Sequence, residues 1–159
     1  MAPEATAAWD LPQAHVLTVD VAPADIDDYR HVNNAVYVAW LDRAAWSHSA
    51  ALGLPAARCV AIDRGMAVVR TVVVYLRPAV AGDTVAVATW IIPSASRLRV
   101  QRRFQLQRAQ TGETLVRAQV EYACIELSTG RPTRWPPEFR DNFAVMPEVA
   151  AAFTGLEPL

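Results

Sequence analysis

The chain has 159 residues, a formal net charge of -1, 53% apolar residues and only 19% charged ones. That composition excludes a disordered chain, gives no global attraction to nucleic acid or an anionic membrane, and fits one domain with an ordinary core. Two cysteines, Cys59 and Cys124, are too few for a disulfide framework or a four-ligand zinc site, and no apolar run reaches the roughly 18 residues of a membrane span.

Residues 1–13 are rich in Ala and Pro, lack a sustained period and read as a mobile tail. They also lack the basic-then-apolar pattern of a signal peptide, so the expectation is a cytoplasmic protein. His15 to Val21 alternates, Val16 and Thr18 against Leu17, Val19 and Val21, which predicts a first strand. Pro23 ends it, and Ala24 to His31 is a polar loop. From Asn34 to Leu52 the period changes: Tyr37, Trp40, Leu41, Ala44, His48, Ala51 and Leu52 recur at three and four residues, the stripe of a helix. An Asn caps its start, and Gly53 with Pro55 stops it. His48 lies on the apolar side and reads as a core histidine.

Four strands follow: Gly65 to Arg77, Thr84 to Ile92, Arg97 to Arg108 and Thr114 to Leu127, joined by turns at 78–83, 93–96, 111–112 and 128–132. The remainder is extended, with a short helix near Val149. Short connections imply antiparallel pairing, and a lone helix must bury its stripe on the sheet. The expected class is α+β, about five antiparallel strands wrapped around one long central helix. A tail at 1–13, a domain over 14–145 and a C-terminal extension at 146–159 complete the division.

Polar residues concentrate between the first strand and the helix. Asp25, Asp27, Asp28, Arg30, His31, Asn33 and Asn34 fall within ten positions. A loop there faces the unpaired N–H groups and positive dipole end of the helix, a geometry that polarises a carbonyl oxygen. A neighbouring carboxylate then attacks that carbonyl or deprotonates a water. The same residue types also serve plain turns and caps.

The run Asp25-Ile26-Asp27, His31-Val32-Asn33-Asn34, Tyr37 and Trp40-Leu41-Asp42 resembles the hotdog-fold acyl-thioesterases, whose pattern is D-x-D-x-x-G-H-V-N-N-x-x-Y-x-x-W/Y-L-D/E. The likeness is to the 4-hydroxybenzoyl-CoA thioesterase-like and long-chain acyl-CoA thioesterase group, and also to acyl-carrier-protein thioesterases. Leu76-Arg77-Pro78 through Gly82-Asp83-Thr84-Val85 resembles the family's strand turn, and Thr129-Gly130-Arg131-Pro132 with Pro136-Pro137 its close. The resemblance covers about His15 to Phe143. It implies the hotdog fold and hydrolysis of an acyl-CoA or acyl-carrier-protein thioester, within fatty acid metabolism. It implies no metal and no separate cofactor, CoA or phosphopantetheine being part of the substrate. It also implies a homodimer or a dimer of dimers, with sheets joined edge to edge and the site between subunits.

Residue by residue, the resemblance makes Asp27 the nucleophile or general base and the backbone N–H nearest Asn34 the carbonyl polariser. His31 falls on a family His that is catalytic in the carrier-protein branch and more often positional elsewhere. Tyr29 stands where that branch carries a catalytic Asn, so its full set is absent. Arg30 replaces the Gly before His; it can pair with Asp27 or Asp28 or alter the loop's path where φ is positive. Asp25 reads as structural. Asn33, Tyr37, Trp40 and Asp42 join Arg30 as expected substrate-side residues.

All fifteen basic residues are arginine, which by itself reflects codon usage. The strand from Arg97 puts Arg97, Arg99, Gln101, Arg103, Gln105 and Gln107 on one face, and Leu98, Val100, Arg102, Phe104 and Leu106 on the other. The first face reads as solvated sheet, or as guanidinium contact from Arg97 and Arg99 to CoA phosphates. Trp40, Leu41, Trp46, Val72, Val74 and Trp90 are core or acyl-pocket candidates. Two further classes stay open: a non-catalytic hotdog protein that holds an acyl or aromatic ligand, and a hotdog dehydratase. The position of Asp27 favours the thioesterase.

Overall fold

The structure, a computed structural model, describes residues 8–159. Strand β1 (His15–Asp20) leads through a single 3-10 turn (Pro23–Asp25) to helix α1 (Asn34–Ala51) and a short helix α2 (Ala56–Ala61). Strands β2 (Arg64–Tyr75), β3 (Thr84–Ile92), β4 (Arg99–Arg108) and β5 (Thr114–Glu126) follow, then short helices α3 (Pro137–Asn142) and α4 (Pro147–Phe153). No helix among the described residues is long and apolar enough to cross a membrane.

Helix α1 forms over nearly the predicted span, but its buried stripe is shorter than the pattern predicts: Ala51 is exposed, and His48 and Leu52 are half-buried. Asn33 is the N-cap and its side chain accepts from Ala35 N–H at 2.9 Å. Tyr37, Trp40, Leu41, Ala44 and Ala45 make the buried stripe, and Gly53, at φ 85°, turns the chain out of the helix. The alanines bring the helix backbone close to the sheet, against Val85, Val87, Phe104, Leu106, Val116 and Ala118. Leu54, Cys59, Phe139 and Phe143 close the far end of that core.

The sheet order is β1-β3-β4-β5-β2, antiparallel throughout. Five antiparallel strands around one helix are the expected hotdog architecture. Strands β3, β4 and β5 are a simple meander, but β2 does not pair with its successor. It lies at the opposite edge against β5, so residues 76–83 must cross one end of the sheet. That crossing passes the start of α1: Val32 N–H donates to Ala79 O at 2.9 Å, and Ala79 N–H donates to the Tyr37 hydroxyl at 2.8 Å. Asp83 clamps the crossing, accepting from Val80 N–H and from Arg108 Nε, each at 3.0 Å.

Three expectations are corrected. The strand expected from Arg97 begins at Arg99, and Arg97 lies in the preceding loop. The β4 face expected to meet solvent does not: Arg103, Gln105 and Gln107 are each 1–2% exposed. They lie under the second half of the segment read as a tail. Asp10 N–H donates to Gln105 Oε1 at 2.7 Å, Gln107 Nε2 donates to Ala8 O at 3.2 Å, and Arg117 holds the Asp10 carboxylate at 2.6 Å. Leu11 and Val149 of α4 pack with Trp90 and Ile92 on the same face. Glutamine both donates and accepts, so this row satisfies the backbone laid across it. The rest of the expected tail, residues 1–7, lies outside the described residues. The third correction is α3, which lies in the stretch expected as extended chain, while α2 fills residues between α1 and β2 for which no element is predicted. Each is six residues long, and Pro55 and Pro137 sit at the helix start, where proline is tolerated rather than disruptive.

Candidate active site

The loop between β1 and α1 is built by its own acids and amides. Asp25 closes the 3-10 turn: its carboxylate accepts from Ala22 N–H at 2.8 Å and its carbonyl from Asn33 N–H at 2.8 Å. Ile26 then bridges Val32, and the chain between them reverses in a tight turn. Asp27 N–H donates to His31 O at 2.8 Å, Arg30 N–H donates to Asp27 O at 2.9 Å, and the Asp27 carboxylate accepts from Tyr29 N–H at 2.9 Å. Asp25 is therefore the ordering residue of the pair. Asp27 is fixed at the base of the turn with its second carboxylate oxygen left for other partners.

Arg30 occupies the left-handed region, at φ 62°. The loop keeps the path that a glycine normally supplies there, and the side chain is exposed at the turn's tip. No ion pair among the described residues joins Arg30 to Asp27 or Asp28. A left-handed L-residue costs about 1–2 kcal/mol, against about 0.5–1 kcal/mol of extra chain entropy for glycine. Arg30→Gly is accordingly expected to raise Tm by about 1–4 °C in a thermal melt. A lower Tm would mean that the arginine makes a compensating contact.

Asp27, His31, Asn34, Tyr37, Tyr75 and Arg77 border one open cleft of ≈310 Å³. At its edge, the α1 start exposes a donor. Ala35 N–H is taken by the Asn33 side chain and Val36 N–H by Asn33 O, while Asn34 N–H has no protein acceptor among the described residues. Tyr75 Oη donates to Asn34 O at 2.9 Å, and its ring meets that of Tyr37 edge-on at 5.5 Å. Burial raises the pKa of both phenols, Tyr37 the more deeply set of the two, so both stay protonated. The arrangement places a carboxylate, a free backbone donor and the positive end of an 18-residue helix around one cleft.

The other expected site residues lie elsewhere. Asn33 spends its side chain on the cap. Trp40 is 3% exposed in the core, edge-on to Tyr37 at 5.3 Å. Asp42 lines a separate chamber between α1 and β2, together with Trp46 and Arg102. Arg97 and Arg99 border a groove with Arg140 and Trp135 at the other end of the sheet, about 26 Å along β3 from the cleft at 3.3 Å per residue. Two donors on residues that line the groove, Arg99 Nη1 and Trp135 Nε1, are buried without a hydrogen-bond partner, and Arg99 Nη1 stands 3.7 Å from Glu121 Oε1 as an ion pair. No cluster of three or more His, Cys, Asp or Glu that suits a metal ion occurs among the described residues.

A family model described as "Thioesterase-like superfamily" matches residues 21–143. The chain belongs to the thioesterase-like superfamily. Among solved structures, a 1,4-dihydroxy-2-naphthoyl-CoA thioesterase from Synechocystis is similar at 21% identity and TM-score 0.73, over 82% of this chain and 96% of that one. A DHNA-CoA thioesterase from Staphylococcus aureus matches at 21% identity and TM-score 0.74, over 82% of this chain and 88% of its own. A further Staphylococcus aureus protein, solved in complex with CoA, matches at 18% identity and TM-score 0.74, over 83% and 82% of the two chains. At these identities the likeness establishes the shared hotdog fold. No curated protein matches the chain.

The superfamily match takes in the Asp25 to Asp42 motif, the crossing segment and β2 to β5. Sequence reasoning missed Tyr75 and Arg140. Tyr75 ends a run of valines and carries no local signal beyond being the aromatic at that end. Arg140 sits on a helix too short to show a period.

Proposed function

We propose that the protein is a thioester hydrolase acting on acyl-CoA. The observation that carries this reading is the free N–H of Asn34 at the start of α1, on the same cleft as the Asp27 carboxylate. The thioester oxygen accepts from that N–H, and the helix dipole favours the charge that develops on it. Asp27 then acts in one of two balanced ways. It attacks the carbonyl carbon, giving a mixed anhydride as the C–S bond breaks, and water later releases the acid. Otherwise it takes a proton from water, whose oxygen attacks, and that proton leaves on the thiol sulfur. His31 borders the cleft, where it positions water or the thiol.

A second copy completes the reading. Strand β2 is a 12-residue edge strand with Val68, Val69, Val74 and Tyr75 exposed, a flank that isolated proteins protect. Antiparallel pairing of two β2 strands about their midpoint sets Tyr75 of one copy against Arg64 and Gly65 of the other. That brings one copy's cleft to the end of the sheet where the other carries Arg97, Arg99 and Arg140, guanidinium donors for the phosphates of CoA. The two buried free cysteines suit a reducing compartment such as the cytoplasm.

The dehydratase reading needs a histidine with a carboxylate on the central helix. His48, the histidine within α1, has Nδ1 tied to Arg102 and a pKa pushed down to about 3, by burial and then by Arg102. A base that weak does not serve near neutral pH. The deciding experiment is thiol release from acetyl-, medium-chain, long-chain and aromatic acyl-CoAs and from an acyl-carrier protein, with sedimentation alongside. Release from at least one class by a dimer or tetramer is expected. Binding without release would make the protein a ligand carrier, and turnover by a monomer would remove the β2 pairing.

A further inference from the structure

Arg102 is 3% exposed on the inner face of β4, in a core otherwise made of apolar side chains. Its Nη1 donates to His48 Nδ1 at 2.8 Å and its Nη2 to Ser49 Oγ at 2.8 Å. Because a guanidinium only donates, His48 Nδ1 is the accepting, unprotonated nitrogen, and both partners are neutral. The Phe143 ring lies 5.7 Å away. No carboxylate stands within 4.0 Å of Arg102 among the described residues. Removing an unpaired cation from water costs several kcal/mol, and buried charges are ordinarily paired.

The same guanidinium lines the chamber between α1 and β2, a cavity of ≈80 Å³ walled by Leu54, Met66, Tyr122, Phe139 and Phe143. That is several times the space one water needs. Its exposed lining residues, Asp42 and Trp46 on α1 and Val68 on β2, mark its mouth, and Asp42 there is beyond ion-pairing distance from Arg102. Two hydrogen bonds hold the arginine in place, so the fork is preorganised before anything enters. An apolar chamber ending in one fixed cation matches a ligand that is apolar along its length and anionic at its tip.

We propose that this chamber receives the distal end of the acyl group and that Arg102 binds a carboxylate there, making ω-carboxyacyl thioesters the preferred substrate class. The proposal rests on the hydrolase reading above and on the β2 pairing, which turns the chamber's mouth toward the cleft of the second copy. Arg102 takes no part in breaking the C–S bond; it selects which acyl group is seated.

Two measurements on the full chain test it. The first needs no turnover: octanoate, which offers a carboxylate on an apolar chain, is compared with octanamide. Octanoate is expected to raise Tm by about 3 °C at ten times its dissociation constant. Octanamide should do so far less, and Arg102→Met should abolish the difference. The second compares kcat/KM for ω-carboxyacyl-CoA and for acyl-CoA of equal length, on one preparation. The wild type is expected to favour the carboxylated substrate at least tenfold, Arg102→Lys to keep part of that ratio, and Arg102→Met to lose it. Equal shifts from acid and amide, or a substrate ratio that stays near one or survives in Arg102→Met, would overturn the proposal. If Arg102→Met does not fold, the wild-type ratio and Arg102→Lys decide. Octanoate binding without any thiol release would sink the hydrolase reading and leave the anion site standing.

Discussion

Asp27→Asn is expected to fold normally and to lose at least about a hundredfold in turnover on acyl-CoA, the lower range for removing a catalytic base. The fold survives because the bond that shapes the turn is kept. The Asp27 carboxylate accepts from Tyr29 N–H at 2.9 Å, and an asparagine amide oxygen accepts in the same way. What the amide lacks is the charge needed to attack a carbonyl or take a proton from water. A melt that matches the wild type, combined with a fall in kcat and in kcat/KM, would place the loss in the transition state rather than in binding. Near-full activity in this variant would remove Asp27 from the chemistry. His31→Ala separates the roles of the cleft further: unchanged kcat would make the imidazole positional, and a loss comparable with that of Asp27→Asn would make it a proton carrier.

Stability is expected to fall steeply on mild acidification, with His48 as the main cause. An unfolded histidine titrates near 6.5, whereas burial and the Arg102 charge hold His48 neutral down to about 3. Between those values the unfolded chain binds a proton that the folded chain refuses, so lowering the pH favours unfolding. The contribution is whole above about 6.5, declines below it and is exhausted near 3. One shifted group gives at most about 1.4 kcal/mol per pH unit. With partial solvent access, about 2–4 kcal/mol over the window is the expected scale. His15, stacked on His48 at 4.8 Å, is shifted the same way by burial and then by Arg102. His48→Asn keeps an acceptor for Arg102 and removes the titration, so its urea midpoint should change less between pH 7 and pH 5. Parallel curves for the two proteins would exclude His48 as the acid-sensitive group.

Much of this molecule is legible from local pattern. Strand β3 runs over Thr84–Ile92 as its valine alternation predicts, and α1 over Asn34–Ala51 ends where Gly53 breaks it. The Asp25 to Asn34 loop is largely legible too, because the hydrogen bonds that shape its turns join residues within eight positions of one another, and only Val32 and Asn34 reach distant partners, Ala79 and Tyr75. Positive φ at Arg30 follows from the same local geometry, the turn demanding it whatever side chain is present.

Contacts between distant segments are another matter. Alternation placed Arg103, Gln105 and Gln107 on one face of β4, but nothing local to that strand says that Asp10 and Leu11 lie across it. Likewise the placement of β2 beyond β5, rather than beside β3, depends on a crossing that only the packed sheet defines. That crossing delivers Tyr75 to Asn34 and Ala79 to Tyr37, and so finishes the cleft.

By itself, then, the sequence determined the five strands, the long helix, the polar loop that precedes it and the family. These depend on spacings of two to ten residues, over which backbone sterics and hydrogen bonding act directly. The tertiary structure alone decided which edge β2 occupies, what covers the outer face, and that Arg102 stands in the core without a counter-charge. Pattern assigned Arg102 to the inner face with Leu98, Val100, Phe104 and Leu106, but its partners His48 and Ser49 lie more than fifty positions away. Whether a buried cation is compensated depends on every charge that packing brings near it, and that sum exists only in the folded chain.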